Sequence, residues 1–366
     1  MNLLVDCHCF DEKTAQGINT YIRGIYSVLP ALAPEIDFYF AARNTDNLRE
    51  LFGSGRNIHY VRLRSDARMR RLLSEFPAII KRHRIDWAHF QYVAPLIKNC
   101  RTIVTLHDIL FREFPQYFPL GYRLWRDPLF RLSARRADLL CTVSAYSRSS
   151  ISRNYGIPPE RIAITPNVIS EEFAEVSLEE SREFARKNGA GDYILYISRF
   201  EPRKNQLGLL KSWIRLNPRH DLVMIGNPTL RSRELEEAIA ALPAERSRHL
   251  HILEGVSFGE LKKWYRGASL FVYPTLAEGF GIPPLEAAMA GVPVICSDAT
   301  AMADFSFFGE NLVDIGDSEL LDFRIRSLLE NPSPPSPAIR EEIRRRYGRE
   351  AIARGFLAIL RKAGHQ

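Results

Sequence analysis

The sequence predicts an α/β protein made of two doubly wound parallel-sheet domains facing across a cleft. Short apolar, β-branched runs alternate with longer helical patterns along the chain, as expected for parallel strands covered by helices on both faces. The alternation breaks at a polar, glutamate-rich stretch over 170–180 and then begins again. The chain has 366 residues, 46% hydrophobic and 25% charged, which suits about two domains of ordinary globular composition and excludes disorder, collagen and a disulfide scaffold.

In chain order, strands are expected at 2–6, 36–41, 58–63, 87–90, 102–106 and 139–143, then in a second series at 193–198, 222–225, 251–253, 270–273 and 292–296. Each series is about the size of one doubly wound domain, whose ligands sit outside the carboxyl ends of the strands. The boundary falls near 168–190, which gives an N-terminal domain over 1–175 and a C-terminal domain over 176–345. The stretch 337–364 follows a proline- and serine-rich loop and reads as two amphipathic helices; the last, 346–366, is expected to bridge back to the N-terminal domain.

No apolar run approaches the ~20 residues of a membrane span, and the N-terminus lacks the basic start and long apolar core of a signal peptide. A cytoplasmic protein is expected. Cys7, Cys9, Cys100, Cys141 and Cys296 contain no CxxC pair, and Cys7-His8-Cys9 has no partner cluster, so neither disulfides nor a metal site is expected. Net charge is +7, but residues 56–136 hold 17 Lys/Arg against 6 Asp/Glu, a local +11. Such a basic face concentrates anionic partners. No helix-turn-helix, RRM or zinc-finger signature accompanies it, so nucleic acid is not expected.

The glycine pattern of dinucleotide folds is incomplete at Gly53-Ser54-Gly55, and the P-loop, HExxH and GxSxG patterns are missing. Phosphate handling needs another device. The strand at 193–198 ends in SRFEPRKN (198–205), which puts Arg199 and Lys204 just before a helix expected at 206–214. An arginine fork, a lysine point charge and free N–H groups all favour a diphosphate. After the strand at 270–273, PTLAEGFGIPPLEA (274–287) carries Glu278 and Glu286 eight residues apart across a turn with Gly279 and Gly281. One carboxylate at a strand end can accept hydrogen bonds from sugar hydroxyls, and one in the following helix can hold a ribose diol.

The strings EGFGIPPLEA, SRFEPRKN and GVPVICSD together resemble the donor half of glycosyltransferase family 4, a retaining family with the GT-B fold of two facing Rossmann-like domains. In the first half, Gly17-Ile18-Asn19-Thr20-Tyr21 resembles its glycine-containing loop between first strand and first helix, Thr105-Leu106-His107-Asp108 its HD motif, Val143 to Ser147 its VSxxS segment, and Thr165-Pro166-Asn167-Val168 its PNG(V) stretch. The motifs follow the family's order over nearly the whole chain, which resembles bacterial polysaccharide mannosyltransferases.

The resemblance implies that Arg199 and Lys204 hold the donor diphosphate, Glu286 the ribose and Glu278 the transferred sugar. Backbone amides of Phe280, Gly281 and Ile282 would meet sugar or phosphate, with Gly17 approaching the donor phosphate from the first domain. His107 and Asp108 would lie across the cleft near the reacting centre. Asn19 stands where many relatives carry a second glycine, and the segment after Asp298 lacks the usual proline–glutamate pair, so no role passes to it. The implied function is a retaining, metal-independent hexosyltransferase with no cofactor. It would move mannose from GDP-mannose, or a hexose from a UDP-sugar, to a glycan or polyprenyl-diphosphate-linked acceptor in cell-surface polysaccharide synthesis. A sugar-nucleotide epimerase on the same architecture is the alternative. The arginine- and aromatic-rich segment 111–131 makes an anionic membrane surface on the inner leaflet a further candidate partner.

Overall fold

Strands buried on both faces must be apolar at every position, and Leu3, Leu4 and Val5 of the first strand have no exposed surface at all. The computed structural model describes residues 1–11, 17–230 and 232–364. The chain divides into two units, Met1–Val168 with Arg346–Gln366, and Ile169–Arg345.

The first unit contains β1 (Asn2–Asp6), β2 (Asp37–Ala42), β3 (Ile58–Arg62), β4 (Trp87–Gln91), β5 (Arg101–Thr105), β6 (Leu139–Thr142) and β7 (Ile162–Ile164). They form one sheet in the order β3-β2-β1-β4-β5-β6-β7, and every pairing is parallel. The order reverses direction between β1 and β4, so the crevice at their carboxyl ends is where a ligand of this sheet belongs. The last helix, Arg349–Gly364, packs in this unit, with Phe356 against Tyr26 at 5.8 Å between ring centroids. Arg101 donates to the carbonyl of Ala363 at 3.1 Å, and Arg361 meets Glu35 at 2.5 Å.

The second unit contains β8 (Tyr193–Ile197), β9 (Asp221–Ile225), β10 (Leu250–Leu253), β11 (Leu270–Tyr273), β12 (Val294–Ser297) and β13 (Leu312–Val313). Its order, β10-β9-β8-β11-β12-β13, is again all parallel and again switches direction, here between β8 and β11. The alternation in the sequence therefore folds as two Rossmann-like doubly wound sheets. β7 and β13 were not expected, because three and two residues are too few to show a period. One expectation is corrected. Gly17 to Tyr21 do not form a loop but open the helix Gly17–Tyr26, where apolar residues at helical spacing (Tyr21, Ile22, Ile25) face the core. The stretch preceding Gly17 lies outside the described residues.

Candidate functional site

In the second unit the two loops that leave β8 and β11 are stitched together at the switch point. After β8 the chain makes a tight turn, Pro202–Lys204, and Asn205 then takes a left-handed conformation (φ +56°) to start the helix Gln206–Leu216. Asn205 suits this turn because its side chain accepts from the N–H of Gly208 at 3.2 Å and donates to the carbonyl of Pro274 at 2.9 Å. The Leu276 N–H and the Thr275 hydroxyl both donate to the carbonyl of Arg203, at 2.8 and 3.0 Å, and Arg203 donates back to Ala277 at 2.8 Å. Beside them a Cβ at Gly226 would stand 1.7 Å from the carbonyl oxygen of Ser198, so only glycine lets the backbone after β9 pass this loop.

The turn aims Arg203 and Lys204 inward, where both are buried. The Lys204 ammonium pairs directly with Glu278 Oε1 and lies 3.2 Å from the Tyr273 hydroxyl, which itself donates to Glu278 Oε1 at 2.6 Å. Arg203 Nη1 is 3.4 Å from Glu278 Oε2, and its Nε is 2.8 Å from Glu201 Oε2. Two cations and two anions thus share one small volume. Burial opposes the Glu278 charge, but Lys204 and Arg203 outweigh it and hold the carboxyl at about 2. Burial, with Arg203 nearby, pulls the Lys204 ammonium down to about 8 even though Glu278 opposes the shift. Arg199 differs from this pair: its side chain is 51% exposed, 3.3 Å from Glu201.

Eight residues beyond Glu278, Glu286 lies in the helix Ile282–Met289. Gly281 precedes that helix at φ +99°, a conformation that strains any other residue. Pro283 and Pro284 delete two of the N–H groups a helix start normally leaves open, so Gly281 and Ile282 supply the remaining donors. Glu286 is half-buried and accepts from the Tyr265 hydroxyl at 2.8 Å. Burial pushes its carboxyl up to about 7, with the Tyr265 hydrogen bond opposing.

In the first unit His107 follows β5 and Asp108 follows it, accepting from the Leu110 N–H at 3.2 Å. His107 is buried, its Nε2 is 2.8 Å from Gln91 Oε1, and burial pushes the imidazole down to about 3, so it is neutral at physiological pH.

Of the residues expected from sequence, Lys204 and Glu278 are brought into contact, Arg199 sits at the rim of the same loop, and Glu286 lies on the following helix. Glu201, Arg203, Tyr273 and Thr275, together with Thr300, whose hydroxyl accepts from the Glu278 N–H at 2.9 Å, were missed. Only Glu201 and Arg203 left a signal, in the charged run EPRK. Among the described residues no group of three or more His, Cys, Asp or Glu side chains is placed to hold a metal ion. In segment 111–131 four aromatics turn inward: Phe111 and Phe130 are buried and Phe118 and Tyr122 pack on the core. What the helix Leu120–Arg136 exposes is Leu120, Leu124 and Trp125, each 60% exposed or more.

Residues 177–354 match the family described as Glycosyl transferases group 1, and residues 15–173 match Glycosyltransferase Family 4. The chain is 31% identical over 242 residues to an O-antigen chain mannosyltransferase B of Escherichia coli, covering 64% of this chain and 62% of that protein. It is 27% identical over 243 residues to the O-antigen chain mannosyltransferase RfbU of Salmonella typhimurium, covering 66% of this chain and 64% of that one. The chain therefore spans a little under two thirds of the length of these curated relatives. Among solved structures it resembles Anabaena HepE in complex with UDP and glucose, with a TM-score of 0.76 at 16% identity over 99% of this chain and 100% of the other. That likeness is one of fold.

Proposed function

Because this chain belongs to the family 4 glycosyltransferases, we propose that it is a retaining transferase that moves mannose from GDP-mannose to a glycan or polyprenyl-diphosphate-linked acceptor in cell-surface polysaccharide synthesis. The observation that carries the reading is the buried Lys204–Glu278 pair at the switch point of the second sheet, with Arg199 at the rim and Glu286 one helix turn beyond. The choice of mannose is supported by the names of the two relatives.

In this reading the donor diphosphate takes Lys204 Nζ and the half-exposed fork of Arg199, and Glu278, released from the ammonium, accepts from sugar hydroxyls. The acceptor oxygen bonds to the anomeric carbon on the face the diphosphate leaves. The C–O bond to phosphate breaks with its electron pair going to the phosphate, and the acceptor's proton passes to that same oxygen. Configuration is retained, and the growing negative charge is met by Lys204, Arg199 and the N–H groups at Gly281 and Ile282 in place of a divalent ion.

Thermal stabilisation by GDP, UDP, ADP and dTDP and their sugar conjugates tests the donor, since a ligand at a hundred times its Kd stabilises by about 2.7 kcal/mol. GDP and GDP-mannose are expected to stabilise selectively. If Glu286 holds the ribose diol, GDP binding should weaken by roughly tenfold as pH falls from 8 to 6, because a carboxylate accepts hydrogen bonds more strongly than the neutral acid. Glu286→Gln should flatten that dependence. Stabilisation by UDP alone would replace the donor with a UDP-hexose, and no stabilisation by any nucleotide would overturn the reading.

A membrane surface as the acceptor's location is supported by the helix Leu120–Arg136, where exposed Leu120, Leu124 and Trp125 are followed by exposed Arg131, Arg135 and Arg136. Flotation with anionic vesicles should recover the protein at low salt and lose it as salt rises, with L124E/W125E abolishing recovery. Equal recovery of wild type and variant would remove the helix from the account.

A further inference from the structure

Strand β4 has two polar side chains at alternate positions, His89 and Gln91, in an otherwise apolar run, and a period of two puts both on one face. Both are buried, and so is His107 beyond the end of the neighbouring β5. The three form a chain. His107 Nε2 is 2.8 Å from Gln91 Oε1, and Gln91 Nε2 is 3.2 Å from His89 Nε2. His89 Nδ1 is 2.7 Å from the Tyr26 hydroxyl, and its Nε2 is also 2.8 Å from Thr105 Oγ1. Rings wall the chain in: Phe356 stacks on His89 at 5.5 Å, and an edge-on Tyr21 and a tilted Tyr92 close on His107 at 5.0 and 5.4 Å.

With the Gln91 amide oriented as the structure has it, the donors and acceptors of this chain assign the two ring protons. The amide nitrogen of Gln91 can only donate, so His89 Nε2 must offer a lone pair and His89 carries its proton on Nδ1, toward Tyr26. The amide oxygen of Gln91 can only accept, so His107 Nε2 must carry the proton. In a neutral ring that leaves His107 Nδ1 as a lone pair, and among the described residues it has no hydrogen-bond partner.

We propose that Gln91 and His89 are positioning residues that fix His107 as the Nε2–H tautomer, so that Nδ1 accepts a hydrogen bond from a hydroxyl of the sugar substrate. This chemistry also selects the ligand: a lone pair on a neutral imidazole welcomes an O–H and repels phosphate or carboxylate oxygen, so His107 meets an uncharged part of a substrate rather than the diphosphate. The hydroxyl partner rests on the transferase reading, whereas the tautomer does not.

The test is nitrogen NMR of the full chain labelled with [15N]histidine, in which protonated and unprotonated ring nitrogens are far apart and the His107 signals are assigned by their loss in His107→Gln. Wild type without any ligand should show His107 protonated on Nε2. Gln91→Met should shift the population toward Nδ1–H and lower kcat by roughly tenfold, the worth of one positioned hydrogen bond, while donor KM stays within about twofold. Gln91→Glu, which still accepts from Nε2–H, should restore the Nε2–H tautomer. An Nδ1–H wild type, or an unchanged tautomer or unchanged kcat in Gln91→Met, would overturn the proposal. Nucleotide stabilisation is read separately, so a chain with the expected tautomer that binds no nucleotide would condemn the transferase reading and leave the assignment standing.

Discussion

Replacing Lys204 with methionine is expected to lower kcat by about 10²–10³, the loss that follows removal of one preorganised charge-stabilising donor. Lys204 is the cation for which the fold goes to most trouble: its turn is held by Asn205 and by backbone bonds to the β11 loop, and its ammonium is buried against Glu278 and Tyr273. A buried charge acts through a low dielectric and needs no reorganisation as the phosphate leaves. Lys204→Arg should not rescue, because the Tyr273 hydroxyl at 3.2 Å leaves no room for a planar fork. Arg199→Ala removes a half-exposed side chain and should cost roughly tenfold, mainly in donor KM. Steady-state kinetics with the donor identified by thermal shift would measure both; a Lys204→Met enzyme within twofold of wild type in kcat would refute the role.

Glu278→Gln should destabilise the second unit by about 3–5 kcal/mol at pH 7, the usual result of leaving buried cations without their partner. Lys204 loses its directly paired carboxylate and Arg203 keeps only Glu201 of its two anions. The sign with pH follows from the depressed Glu278 carboxyl. Its stabilising contribution is complete above the ordinary carboxyl value of 4.5 and is lost as pH falls toward about 2. Urea unfolding of wild type and variant should therefore differ most near neutrality and converge in acid. A gap that stays constant from pH 7 to 3, or no gap at pH 7, would show that the pair carries no stability. The same change should remove most transfer activity, since the carboxylate that leaves Lys204 for the donor sugar is gone.

Most strands could be read from the sequence because burial on both faces forces uninterrupted apolar runs; the first strand and β11 lie where the pattern placed them, at 2–6 and 270–273. β7 and β13 could not be read, since their few residues pair only because β6 and β12 offer an open edge. Lys204 and Glu278 were legible through the order of two motifs some seventy residues apart. The roles of Tyr273, Thr275 and Thr300 were not, because an isolated hydroxyl carries no signal until a second loop is laid beside it. Gly17 misled because glycine marks both loops and helix starts, and only tertiary packing of Tyr21 and Ile22 decides between them. His89 and Gln91 left a trace, two polar residues at a spacing of two in a buried strand, which acquires meaning only when His107 is found at its end.

The helix that carries Phe356 follows the second unit in the sequence, yet it closes the first. A ribosome that has finished Val168 must still polymerise the whole of Ile169–Arg345 before that helix exists, roughly ten to thirty-five seconds at bacterial-like elongation rates. During that interval Tyr26 and His89 lack the aromatic ring that packs on them, whereas every residue of the second unit is contiguous in sequence. The first unit therefore completes its packing only after the whole of the second has been polymerised.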